Sequence, residues 1–391
     1  MRILYISHKP IYPKLDGGCV AMANFLDILL SQNHEVKHLA IGTNKHAFNR
    51  QNYPSDIADK TGVESIFINT DINSIKAIKS LFSHKSYNVD RFYSEEMNAK
   101  ICANLNSLEF DAVILESLFS TPYIDSIRKH FNGKIYLRAH NVEFHIWEDL
   151  TTNCSNWLKK AYLKKLTKDL KQYELTTIQQ LDGIMTISEA DELFLKNATT
   201  IPVKTIPFSV TTNETVKNDY SSSNLFHLGG LDWEPNRQAV ERLVRLFPSI
   251  KAQLPTIDLS LIGKGTDKLQ INTTSIHTKG FVNELDEFVI NSGVLVSPIS
   301  SGSGIRIKIL EMMGIGIPVI TSKKGAQGIK HEGKKCIFIA ETDNEFIEAC
   351  VSLSEDHALR KELGTNAKNY ISTYHSPETV AKHLDEFLQS T

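Results

Sequence analysis

Between Ser297 and Glu311 the chain reads Ser-Pro-Ile-Ser-Ser-Gly-Ser-Gly-Ile-Arg-Ile-Lys-Ile-Leu-Glu. Small residues around Gly302-Ser303-Gly304, followed by an apolar periodicity, describe a strand, a glycine-rich loop and a helix. Such a junction aims backbone N–H groups and the positive helix end at an anion, typically a phosphate. With the helix opening in the loop, Gly304, Lys308 and Glu311 share one face at i, i+4 and i+7, and Ile305, Ile309 and Met312 occupy another. A cation and a carboxylate on one face suit a diphosphate and sugar hydroxyls respectively. Arg306 joins that face only if the helix starts later. The alternative from this segment alone is an ordinary amphipathic helix with a Lys308–Glu311 surface pair.

Two further positions invite chemistry. His140 follows an apolar strand, where a neutral imidazole can accept or donate one hydrogen bond to a hydroxyl. A strand-end histidine satisfied by the backbone is the other reading. Gly17-Gly18 lies between the first strand and the first helix, where glycine permits close backbone approach to a diphosphate or simply makes the turn. A dinucleotide fingerprint is absent: Gly263-Lys264-Gly265 and Gly302-Ser303-Gly304 each lack the third glycine of G-x-G-x-x-G, which demotes a dehydrogenase. The five cysteines, Cys19, Cys102, Cys154, Cys336 and Cys350, have no C-x-x-C spacing, and the 14 histidines show no H-E-x-x-H. Reduced packing thiols and no bound metal are expected.

The elements that must position these residues alternate. Strand-like runs at Arg2–Ser7, Glu35–Ile41, Glu64–Ile68, Asp111–Leu115, Lys134–Leu137, Gly183–Ile187 and Lys204–Ile206 are separated by helical periodicity, notably near Arg91–Leu108 and Trp157–Gln180. After Pro207–Asn224, expected as hinge and linker, a second series follows. It comprises strands at Leu225–Leu228, Ile257–Ile262, Ser275–Thr278, Val294–Ser297, Pro318–Thr321 and Cys336–Ile339, with a helix opening at Pro235. Two doubly wound α/β domains with parallel sheets are predicted, with ligands beyond the carboxyl ends of the strands in an interdomain cleft. The boundaries are 1–208 and 209–375. The length of 391 residues fits two such domains, and 43 Lys and Arg against 45 Asp and Glu exclude a globally basic nucleic-acid binder. No apolar run approaches the roughly 20 residues that span a bilayer. Met1–His8 lacks the long apolar core of a signal peptide, so a cytoplasmic protein is expected.

Together with Met312–Thr321 and Gly325-Ala326-Gln327-Gly328-Ile329, the Glu311 block resembles glycosyltransferase family 4, of the two-Rossmann GT-B type. The resemblance continues through Gly17-Gly18, Arg138-Ala139-His140-Asn141-Val142-Glu143, Ser188-Glu189-Ala190-Asp191, Leu228–Asn236, Ile262-Gly263-Lys264-Gly265 and Gly280-Phe281-Val282. It implies sugar transfer from a nucleotide-diphosphate sugar to a hydroxyl, with retention of configuration and no catalytic metal or other cofactor. It implies that Glu311 binds the donor ribose and that the first glutamate of the family's pair is replaced by Ser303, leaving backbone contacts from Ser303 and Gly304. Leu231 stands where many members have arginine, Arg237 lies near the usual lysine, and Val282 is near the nucleotide base. His140 matches the histidine beside the transferred sugar, Gly17 and Gly18 approach the diphosphate, and helix 376–391 returns to the first domain.

The reaction expected is front-face attack, with leaving charge stabilised by Lys308, Arg306, Arg237 and helix-end amides. A two-Rossmann epimerase or phosphorylase is the alternative enzyme, and a catalytically silent sugar-nucleotide-binding partner the alternative class. The acceptor is expected to be a saccharide or a lipid-linked molecule of surface polysaccharide or glycolipid synthesis, with no nucleic acid. Trp157–Tyr173 carries six lysines against Asp169, interleaved with Trp157, Leu158, Tyr162, Leu163, Leu166 and Leu170. Such a helix either rests on an anionic membrane surface or packs one face and solvates the other.

Overall fold

Fully apolar strands buried on both faces are what an all-parallel sheet requires, because crossover helices cover it above and below. In the computed structural model, which describes residues 1–71, 86–211, 218–271, 273–282, 289, 292–302 and 304–391, this produces two sheets. The first contains β1 (Arg2–Ser7), β2 (Glu35–Gly42), β3 (Glu64–Phe67), β4 (Ala112–Glu116), β5 (Lys134–Ala139), β6 (Gly183–Thr186) and β7 (Val203–Thr205). Their order is β3-β2-β1-β4-β5-β6-β7, and every pairing is parallel. The second sheet holds β8 (Leu225–Leu228), β9 (Leu259–Ile262), β10 (Ile276–Gly280), β11 (Val294–Ser297), β12 (Val319–Thr321) and β13 (Phe338–Ile339), ordered β10-β9-β8-β11-β12-β13. The order reverses between β1 and β4 in one sheet and between β8 and β11 in the other. Those are the switch points beyond which doubly wound sheets hold ligands.

Strand alternation sorts side chains between two cores in the first unit. Leu4, Ile6, Val113, Leu115, Ile135 and Leu137 face one cluster, whereas Ile3, Tyr5, Ala112, Ile114 and Tyr136 face the other. The second cluster is closed by the helix Gly17–Ser31, through Phe25 and Leu29, and by the C-terminal helix Pro377–Ser390, through Val380, Leu384 and Phe387. Each such buried aliphatic or aromatic side chain contributes about 1.5–3 kcal/mol. At Gly183 a Cβ would come within 2.7 Å of the Phe387 ring, so that helix leaves no room for a larger residue on β6.

The chain divides into Met1–Phe208 with Val380–Thr391, and Ser209–Thr379. The segment expected as a linker is partly anchored: Val210 N–H donates to the His375 carbonyl (2.7 Å), and Arg360 Nε donates to the Tyr220 carbonyl (3.1 Å). Residues 212–217 of it lie outside the described residues, as does Ser303. All five cysteines are free.

Candidate functional site

In the first unit, register alone assembles a charged cluster at the strand ends. Ser7 of β1 is opposite Glu116 of β4, and Glu116 is opposite Arg138 of β5. Tyr5, Glu116 and Arg138 share one face, so their polar ends converge. Arg138 Nη1 donates to Glu116 Oε1 (2.5 Å), Tyr5 OH donates to Glu116 Oε2 (2.5 Å), and His140 Nε2 bonds to Glu116 Oε1. Glu116 is wholly buried and Arg138 is 1% exposed, with its guanidinium 4.3 Å from the Phe25 ring centre. Burial pushes the Glu116 pKa up, but Arg138, His140 and the Tyr5 hydrogen bond outweigh it and hold it at about 2.

His140 is shifted down, first by burial, with Glu116 pulling the other way and Arg138 adding to the depression. The countercharge of Glu116 is already met by Arg138, so a protonated imidazole would leave a net buried cation. A neutral His140 therefore donates through Nε2–H to Glu116 and presents Nδ1 as an acceptor. His8 lies edge-on to His140 (6.1 Å between centroids) and is held near 3 by burial. Immediately after Glu116, Ser117 has φ +72°, a left-handed backbone that a non-glycine residue adopts only under constraint.

Asp16 caps the helix Gly17–Ser31 by accepting from Cys19 N–H (2.9 Å), and both of its oxygens bond to Lys9 Nζ (2.7 and 2.9 Å). A Cβ on Gly18 would lie 2.9 Å from that ammonium, so glycine admits Lys9 here. Asp16, Cys19 and His46 bring ligand atoms within 4.8 Å of one another. The Lys9 ammonium already occupies the Asp16 carboxylate, a poor arrangement for a second cation.

The second unit presents loops at the ends of β8, β9, β10 and β11. Asn236 Nδ2 donates to the Gly230 carbonyl (3.0 Å), closing the loop after β8, and a Cβ on Gly263 would lie 2.3 Å from the Gly229 carbonyl oxygen. Gly302 (φ +87°) rests against Trp233 and Pro235. Arg306 donates to the Gly304 and Ser301 carbonyls (2.8 and 3.1 Å) while its guanidinium covers Trp233, 5.0 Å from the ring centre. Burial brings its pKa down to about 10. The helix is Ile307–Gly314, with Arg306 as its N-cap.

That boundary corrects the expected helical face. Gly304 is in the loop, at φ +80°, and not on the helix; Lys308 and Glu311 remain neighbours at i, i+3. The reason is Gly304 itself, whose left-handed backbone breaks the helix, together with the Arg306 clamp on the loop. Lys308 is exposed; its pKa is lowered by partial desolvation, against the opposing pull of Glu311 and Asp232. Arg237 is in the first turn of the helix Glu234–Gln253, exposed and ion-paired with Glu234. Val282 is half-buried just past β10, next to Phe281, which is 74% exposed. A cavity of about 600 Å³ opens here, lined by Leu231, Asp232, Lys264, Lys268, Lys279 and Phe281 among others.

The structure thus brings Arg306, Lys308 and Glu311 together with Trp233 and Asp232, and separately brings His140 together with Glu116, Arg138, Tyr5 and His8. Gly17 and Gly18 open the helix capped by Asp16. Glu116 and Arg138 were outside the strand limits read from sequence, which stopped at Leu115 and Leu137. A charge ending each otherwise apolar run was the available signal.

Residues 222–356 match the family model of Glycosyl transferases group 1. The match includes the loop after β8 and the Arg306–Glu311 segment. Solved structures of similar architecture span the whole chain. Sucrose-phosphate synthase from Thermosynechococcus elongatus has a TM-score of 0.67 at 14% identity, covering 100% of this chain and 99% of the other. Anabaena Alr3699/HepE in complex with UDP has a TM-score of 0.67 at 13% identity, covering 100% of both. TarM from S. aureus, in complex with UDP among other ligands, also has 0.67 at 13%, covering 99% of both. The fold is GT-B. A curated relative, an uncharacterized 44.6 kDa protein in the cps region of Klebsiella pneumoniae, is 22% identical over 97% of each chain. Among the described residues no helix is long and apolar enough to cross a membrane.

Proposed function

We propose that this chain is a retaining glycosyltransferase of family 4 that moves a sugar from a nucleotide-diphosphate sugar to a hydroxyl, without a catalytic metal. The observation that carries this reading is the Arg306–Glu311 junction at the β8/β11 switch point, within the segment that matches group 1 glycosyl transferases. There Lys308 meets the diphosphate and Glu311 the ribose hydroxyls, while Arg306, bonded to two loop carbonyls, holds the glycine loop in shape. The cavity beside Phe281 and Val282 takes the base. In the first unit a neutral His140, its tautomer fixed by Glu116, is suited to accept a hydrogen bond from a sugar hydroxyl through Nδ1. The acceptor oxygen forms its bond to the anomeric carbon as the carbon–oxygen bond to diphosphate breaks. The electron pair leaves with the diphosphate, and the acceptor proton passes to a phosphate oxygen. Stabilising that leaving charge is the step to which Lys308 contributes.

Similarity to the protein in the cps region supports an acceptor in surface polysaccharide or glycolipid synthesis. Thermal-shift screening against nucleoside diphosphates and nucleotide sugars tests the donor, because a ligand of the folded state raises its apparent stability. A stabilising donor whose nucleotide is released only with an acceptor, unaffected by chelator, is expected. Acceptor-free conversion of the donor to another nucleotide sugar would show an epimerase instead, and binding without transfer over a broad acceptor screen a silent binding partner.

A further inference from the structure

The helix Glu143–Thr152 and the helix Trp157–Thr177 of the first unit pack on each other, and their connecting end carries exposed apolar side chains. Leu150 is 52% exposed, Trp157 74% and Leu158 61%. Isolated exposed leucines are ordinary; a tryptophan and two leucines at one helical corner are not. From that corner the outward face of the second helix runs Trp157, Ala161, Lys164, Lys168, all exposed, whereas Leu166 and Leu170 on the opposite face are buried. Lys159 is exposed in the first turn, on the side of the helix away from Trp157. Nearby acids are largely used: Asp169 binds Lys165, Glu148 binds Lys171, and Asp149 is the exposed carboxylate next to Leu150. Lys159, Lys164 and Lys168 form no ion pair with any described residue.

We infer that this corner docks the first unit on an anionic lipid bilayer, with Trp157, Leu158 and Leu150 entering the headgroup boundary and Lys164 and Lys168 lying over the anionic lipids. Tryptophan favours that boundary because its ring is apolar and its N–H polar. The alternatives fit less of the surface. A nucleic acid would use the lysines but leave the two leucines in water, and a second copy would set like-charged faces against each other. Docking does not depend on the proposed sugar transfer, and its measurement needs no substrate.

The test is flotation of the full chain with vesicles of phosphatidylcholine containing a minority of phosphatidylglycerol, and with vesicles of phosphatidylcholine alone. Binding to the anionic vesicles only, weakened by added salt, is expected, with a blue shift of tryptophan emission that Trp157→Phe removes. Each lysine at an anionic surface multiplies binding by about fivefold, so Lys164→Gln and Lys168→Gln together should reduce it by roughly twenty-five-fold. Trp157→Ala with Leu158→Ala should also weaken it, and both changes are at exposed positions that leave the core intact. No flotation, equal binding to neutral vesicles, or a dimer in sedimentation that Trp157→Ala dissolves would each overturn the inference.

Discussion

Glu116 and the Lys308 segment occupy equivalent places in two sheets of related order, at the ends of β4 and beyond β11, each next to the strand at which its sheet reverses. Their electrostatics are opposite in kind. Around Glu116 the charge is closed: arginine, histidine and tyrosine all bond to one wholly buried carboxylate. Around Lys308 it is less enclosed, because the residue is exposed, with Glu311 and Asp232 nearby, and Arg306 is engaged with carbonyl groups of its own loop. A closed cluster fixes geometry, whereas an open one meets incoming charge. The same switch-point topology therefore carries a closed, buried ion cluster in one unit and an exposed cation at a loop–helix junction in the other.

The sharpest way to break this contrast is Glu116→Gln. Removing one partner of a buried pair leaves Arg138 uncompensated, which costs about 3–5 kcal/mol. Because the folded-state pKa is depressed to about 2, the stabilisation is complete above the ordinary carboxylate range and is lost as pH falls toward that value. Chemical denaturation at neutral pH should show the loss, and an unchanged midpoint would refute the closed cluster. Lys308→Ala should leave denaturation nearly unaffected while lowering kcat by about 10²–10³-fold, the usual consequence of removing one transition-state charge stabiliser. Unchanged turnover would remove Lys308 from the site. For Glu311→Ala the expected loss is about tenfold to a hundredfold in donor affinity, as for a hydrogen bond to a charged group. Calorimetric titration with the nucleoside diphosphate would reveal it, and an unaltered Kd would mean that Glu311 serves the helix surface only.

Much of this was legible in the sequence, unevenly. Apolar runs alternating with helical periodicity specify a doubly wound chain because parallel sheets are buried on both faces. The glycine-rich loop before Lys308 was equally visible, since a strand–loop–helix junction is local in sequence. The start of that helix was not, because it depends on the left-handed conformation of Gly304 and on Arg306 folding back over Trp233. Glu116 and Arg138 were harder still. Their partnership exists only through the register of β4 with β5, 22 residues apart in the chain, and no short pattern encodes it. The bonded state of His140 was invisible for the same reason.

A further expected effect separates the two units by pH. Just past His140, Glu143 is buried near Glu174, whose carboxylate accepts from the Glu143 and Phe144 N–H groups (3.0 Å each) and so covers the start of that helix. Burial, then Glu174 and Asp191, push Glu143 up to about 8; burial pushes Glu174 up to about 7, against its two backbone donors. In the unfolded chain both ionise near the ordinary value of about 4.3. Between there and pH 8 the folded state holds more protons, so stability falls as pH rises. Buried histidines act on the other side: His8, His38 and His227, held at about 3, 3 and 4 mainly by burial, lose stability as pH drops below their unfolded value. Since those histidines are shared between the units, the alkaline limb is the discriminating one. Glu143→Gln keeps the shape and removes the titration, so it should flatten the decline above pH 5 by up to about 1.4 kcal/mol per pH unit. Parallel Tm–pH curves for the two proteins would show that Glu143 does not titrate there. A flattened curve would mean that the helix following His140 is held most firmly when Glu143 carries its proton.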